Sequence, residues 1–196
     1  MIDIKPLFNP GKIKADSKKA KLAIEKATVS TLNKLGSQGI TQGRKAITST
    51  YNIKAKDVSS SITLIKANKN HKIATIRAKG DNSLPLFKFG GRPSMPASQA
   101  GIKVPYRRRT KASAKVLRGG KREKFKHAFV AKMGSNISIY QRTTGKSLPV
   151  KILKTMGVPG MFRSKAITVI DTLIKDKGQQ IFEHELKFYL DRAGIK

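Results

Sequence analysis

Cysteine is absent from the 196 residues, which excludes disulfides and thiolate metal sites and fits assembly in a reducing cytoplasm. Tryptophan is absent too, and with only 8 Phe and 4 Tyr the chain can build a core, but a lean one, of a size for one domain with or without extensions. No run of about 18 apolar residues occurs, so no membrane-spanning helix is expected. The start, Met1-Ile2-Asp3-Ile4-Lys5-Pro6, lacks the apolar stretch of a secretory signal. Acidic residues are the scarcest of all relative to their counterparts: 11 Asp and Glu stand against 42 Lys and Arg, a formal charge of +31.

That excess is concentrated. Twenty of the basic residues fall between positions 82 and 170, where Glu123 is the only acid. Self-repulsion on this scale destabilises an isolated compact chain, so a polyanion or acidic neighbours are expected beside it. The densest part, 103–126, holds Arg107, Arg108, Arg109, Lys111, Lys115, Arg118, Lys121, Arg122 and Lys124. Such side chains neutralise phosphates whatever the base sequence, with an affinity that falls steeply with salt. Arg suits this work best because its planar fork makes bidentate contacts. A solvated basic loop that takes its order from an assembly explains the same composition.

Catalysis finds no support. His71, His127 and His184 lie in three different expected elements, and none has a second His or a carboxylate at metal-ligand spacing in a helix. Glu183-His184-Glu185 reads as exposed helix. One carboxylate between positions 82 and 170 cannot supply the paired acids of two-metal or glycosidase chemistry. No serine sits in a nucleophile elbow, and Gly90-Gly91-Arg92 lacks the helix start and Lys-Ser/Thr of a phosphate loop, so it reads as a plain turn. No catalytic, metal or cofactor-binding residue is therefore expected.

Periodicity predicts an α+β fold: N-terminal helices, an antiparallel sheet with a long basic hairpin or arm, and a long C-terminal helix packed on the sheet. One domain is expected over 1–196, with 1–14 as an N-terminal extension and 101–127 as an extended basic arm. Asp16 or Ser17 caps a helix carrying Ala20, Ile24, Ala27, Thr31 and Leu35 until Gly36 and Gly39 end it; a second helix follows over 41–51. The residues after it, Tyr51-Asn52-Ile53-Lys54-Ala55-Lys56-Asp57-Val58-Ser59, also fit the turn and second helix of a weak helix-turn-helix. Alternation around Ile62 and Leu64 and over 73–78, with Asn68-Lys69-Asn70-His71 between, predicts a hairpin. A short edge strand near Leu84 precedes the arm, whose tip is placed at Gly119-Gly120. Strands follow at 128–132, 137–141 and 149–153. The closing helix buries a stripe of Ile167, Ile170, Ile174, Ile181, Leu186 and Tyr189, and carries five of the eleven acids, which suggests head-to-tail packing of identical subunits if they face the basic arm.

The segments His127-Ala128-Phe129-Val130-Ala131, Ile139-Tyr140-Gln141-Arg142, Gly145-Lys146-Ser147-Leu148-Pro149-Val150 and Gly157-Val158-Pro159-Gly160-Met161-Phe162, in that order, resemble the minor tail protein Z family of lambda-like bacteriophages. The resemblance extends more loosely over nearly the whole chain. It implies a structural virion protein, built in the host cytoplasm, that completes the tail at its head-proximal end and makes it competent for DNA delivery. A homo-oligomeric ring, partners among tail-tube, tail-terminator or neck proteins, and non-specific contact with DNA in the tail lumen are implied with it. Phe129, Tyr140, Arg142, Pro149, Pro159 and Phe162 are the positions where the family pattern is carried, as core and turn residues. A sequence-independent nucleic-acid-binding protein of the ribosome- or nucleoid-associated kind is the alternative that the charge alone allows.

Overall fold

The computed structural model describes residues 1–4, 18–92, 111–133, 136–144 and 148–195. In chain order the elements are β1 (Ile2–Ile4), α1 (Lys18–Thr50), α2 (Ala55–Ser59), β2 (Ile62–Ile65), β3 (Ala74–Ala78), β4 (Ser83–Pro85), β5 (Ser113–Ala114), β6 (Glu123–Lys124), β7 (Ala128–Met133), β8 (Asn136–Arg142), β9 (Val150–Ile152), β10 (Lys154–Met156), α3 (Val158–Met161) and α4 (Ile167–Arg192). Among the described residues every strand pair is antiparallel, in the small sheets β1-β3-β2, β10-β4, β5-β6 and β7-β8-β9. The fold is α+β. The chain forms two compact units, one of Met1–Ala46, Ser59–Lys79 and Phe162–Lys196, the other of Ile47–Val58 and Gly80–Met161.

In the first unit α1 packs against both the β1-β3-β2 sheet and α4. The glycines expected to end the first helix instead lie inside one continuous helix of 33 residues. A Cβ on Gly36 would stand 2.7 Å from Leu64 Cδ1; on Gly39, 3.0 Å from Ile76 Cδ1 and 3.3 Å from Ile170 Cγ2; on Gly43, 3.2 Å from Ala166 Cβ. At steps of three and four, these glycines form one flat strip where strand and helix approach the α1 backbone. Each costs about 1 kcal/mol of helix propensity against Ala. The close packing they permit offsets that cost, which is why glycine read locally as a stop is a contact surface here.

The facing side of α4 carries Ile170, Ile174, Gly178, Phe182 and Leu186, all buried. Phe182 and Leu186 close on Ala27, with Ile24, Tyr189 and Leu190 beside them. A single turn of π-helix, Phe162–Ala166, precedes α4, and Pro159 sits in the first turn of α3, where a missing N–H disrupts no helical bond. The β2-β3 hairpin turns as its composition implies: Asn68 Oδ1 accepts from the N–H groups of Asn70 and His71 at 3.0 and 2.7 Å. Ile2–Ile4 adds an outer strand to β3, while 5–14 of the expected extension, together with Asp16 and Ser17, lie outside the described residues.

In the second unit the core gathers Leu86, Ala112, Ala114 and Ile139, with Phe87, Val116, Phe125, Ala128, Val130 and Leu153 packed around them. The helix-turn-helix reading fails here, because α2 has five residues, too few for a recognition helix, and its Val58 is fully buried. Gly90-Gly91 is a plain turn: Gly90 adopts φ +64° and the Gly91 N–H donates to Phe87 O at 3.0 Å.

Candidate polyanion-binding surface

The basic segment is anchored from below before its charges are presented. Ala112, Ser113 and Ala114 are buried, and Ser113 exchanges backbone hydrogen bonds with Arg92 at 2.8 and 3.0 Å. Ser113 pairs with Lys124 and Ala114 with Glu123, and the Phe125 N–H donates to Ala112 O at 2.9 Å. Between the strands the chain reverses at 117–120, where the Gly120 N–H donates to Leu117 O at 3.1 Å. The hairpin is thus fixed by alanines small enough to enter the core: of the extended arm or hairpin expected over 101–127, residues 111–127 form a hairpin seated on the unit. Arg107, Arg108 and Arg109 lie outside the described residues.

Its basic side chains separate into two sorts. Lys111, Arg118, Lys121 and Lys124 are exposed, and none of them forms an ion pair among the described residues. Lys115 is half-buried. Arg122 is half-buried, with its Nη1 donating to Gly90 O at 2.7 Å. That bond ties the hairpin to the Gly90 turn and makes Arg122 a structural arginine first. Glu123, the one acid of the segment, is exposed on the same hairpin.

The next sheet brings together three residues from its first two strands. Phe129 on β7 is opposite Tyr140 on β8, their rings stacked at 6.1 Å between centroids. The Arg142 guanidinium lies over the Phe129 ring at 4.7 Å, a cation–π contact worth about 0.5–1 kcal/mol at an exposed site. Tyr140 is buried, but Phe129 is only half-buried and so is not the core residue expected of it. Phe162 is buried at 2% exposure, in the first unit. Pro149 is exposed and leads into β9, its carbonyl accepting from the Thr143 N–H at 3.3 Å and from Thr143 Oγ1 at 3.0 Å. The turn before β7 is held by Gln141 Nε2 donating to Lys126 O at 3.0 Å.

The described parts of the segments that carry the family pattern lie in or next to β7, β8, β9 and α3, with Phe162 directly after α3, while Gly145, Lys146 and Ser147 lie outside the described residues. Residues 13–192 match the family described as prophage minor tail protein Z. The chain belongs to that family. It is a structural protein of the phage tail, and its place is the virion. Neither the curated proteins nor the solved structures gave a match. Among the described residues no helix is long and apolar enough to cross a membrane.

One group that local reading misplaced is Glu185. Expected on the exposed side of α4, it is 4% exposed and accepts hydrogen bonds from Lys34 Nζ and, at 2.5 Å, from Ser30 Oγ, both on α1. Burial pushes its carboxyl up, but the Lys34 and Ser30 hydrogen bonds, with the charges of Lys34 and His184, outweigh burial and hold it below its ordinary value. The signal in the sequence was its register: 185 follows 174, 178 and 182 on the buried face.

Proposed function

We propose that the protein completes the phage tail at its head-proximal end by assembling into a ring of identical subunits, with the β5-β6 hairpin directed at the phosphates of DNA in the lumen. The observation that supports this is the seated hairpin. Arg118, Lys121 and Lys124 project, without carboxylate partners among the described residues, from a hairpin whose backbone is held by buried alanines and by the Arg122–Gly90 bond. Charges held in place meet a passing polyanion without first being ordered, and phosphate contacts position DNA without reading its bases. The ring relieves the burden of charge in a second way, because subunits that place acidic α4 positions beside basic neighbours lower the repulsion each bears alone. A tail-tube, tail-terminator or neck protein would form the ring's other face.

The test is the mass of the purified protein by light scattering at two salt concentrations, with and without short duplex DNA. An oligomer of defined size at both salts, little changed by DNA, is expected; a monomer throughout would remove the ring. Replacing Arg118, Lys121 and Lys124 by Ser should reduce the salt dependence of DNA binding by about 0.9 in slope for each phosphate no longer neutralised and impair tail completion. A variant with an unchanged slope that completes tails normally would remove the DNA-facing role of the hairpin.

A further inference from the structure

We propose that a groove on the first unit docks an acidic amphipathic helix from a partner protein. The groove encloses about 580 Å³ between α1, the loop after β2 and the end of α4. Its lining combines the apolar side chains of Leu22, Val29 and Tyr189 with the lysines Lys26, Lys34, Lys66 and Lys69. An adjoining cavity shares Leu22, Lys26 and Tyr189 and adds Lys19 and Arg192. Leu22 is 45% exposed and lines both cavities, so its side chain is open to a ligand there.

Charge and shape select the occupant. Among the described residues Lys26, Lys66 and Lys69 form no ion pair, and Glu25, the only acid these residues contribute to the lining, is neutralised by Lys72 at 3.2 Å. Lysines without ion-pair partners call for carboxylates, while the apolar side chains beside them offer a phosphodiester chain nothing and offer leucine-like anchors a place out of water. Leu22, Lys26, Val29, Asn33 and Ser37 line one side of the groove at helical spacing, a length of about 22 Å at 1.5 Å per residue, or roughly four turns of a partner helix. That is the geometry in which an amphipathic helix lays its apolar face into a groove. A second copy offers no acidic amphipathic helix to this groove, since the acids of α4 alternate with Lys175, Lys177 and Lys187 and its apolar side, with Ile170, Ile174, Phe182 and Leu186, is already buried. The proposal concerns the first unit alone and stands whatever the β5-β6 hairpin binds.

The experiment titrates the full-length protein into a fluorescent helical peptide with Leu at positions i, i+4, i+7 and i+11 and Glu on the flanking positions. A control peptide of equal charge has Ser in place of Leu. Saturable binding of the Leu peptide at physiological salt is expected, about tenfold or more tighter than the control, and Leu22→Asp should lose about tenfold. Leu22 is half exposed, so the variant should keep the wild-type circular dichroism and melting temperature. Lys26→Glu with Lys69→Glu should weaken the Glu peptide and strengthen a Lys-substituted counterpart, whereas Lys121→Ser should change neither. Equal binding of both peptides, displacement by duplex DNA as effective as by unlabelled peptide, indifference to Leu22→Asp, or no saturation up to about 1 mM would each overturn the proposal.

Discussion

Alanine at Gly43 and alanine at Gly178 should move stability in opposite directions, although both glycines sit inside helices. The common term is propensity: Ala in a helix interior is favoured over Gly by about 1 kcal/mol. At Gly178 the new Cβ would lie 3.9 Å from Leu35 Cδ1, an ordinary contact, so the propensity gain survives and the melting temperature should rise by about 2–4 °C for a chain of this size. At Gly43 the Cβ would lie 3.2 Å from both Ala166 Cβ and Ile170 Cδ1. Ala166 has no flexible end to swing away, and both neighbours are fully buried, so the helices must separate slightly. Overpacking of this kind costs about 1–3 kcal/mol, which exceeds the propensity gain and leaves a net loss of about 1 kcal/mol. Gly36→Ala falls between them, because its 2.7 Å contact is with the end of the half-buried Leu64 side chain, which can rotate. Urea unfolding of the three variants gives the order Gly178→Ala, Gly36→Ala, Gly43→Ala from most to least stable. Gly43→Ala unfolding at or above the midpoint of Gly178→Ala would refute the view that the glycine strip exists for close approach.

Other consequences rest on single side chains. Because the folded chain holds Glu185 below its ordinary value of 4.5, the unfolded chain takes up that proton first as pH falls. Its contribution is complete above the ordinary carboxylate range and is lost as pH drops through the folded value. Glu185→Gln should therefore lower stability at neutral pH by about 1–2 kcal/mol, a modest figure because Lys34 is half in solvent, and flatten the acid limb of the stability curve; an unchanged acid limb would rule out this carboxylate as its source. Phe162→Ala should cost about 3–5 kcal/mol, as for any fully buried ring, and Phe129→Ala clearly less, since its ring stays partly in water; equal losses in thermal melts would show the two rings to be equally interior. Asn68→Ala removes the acceptor for two turn N–H groups and should cost about 1 kcal/mol, and no loss in denaturant unfolding would mean water replaces it fully.

Sequence alone determined those features whose cause is local. Alternation in 62–78 and 128–141 placed β2, β3, β7 and β8 nearly to the residue, because a strand half in water must present apolar side chains at every second position. Asn68-Lys69-Asn70-His71 turns as written because the Asn side chain supplies its own acceptor. The family, too, was legible from the order of a few short segments. What only the tertiary structure decided concerns partners distant in the chain. Gly36, Gly39 and Gly43 are breakers by local propensity, and became interior helix positions only because Leu64, Ile76, Ala166 and Ile170 approach the α1 backbone there. Glu185 belongs on a surface by composition, and was drawn inside by Lys34 and Ser30, about 150 residues earlier. Ala112 and Ala114 look incidental within a basic run, yet they seat that run in a core, because a methyl group between lysines is small enough to be buried while the charges stay in water.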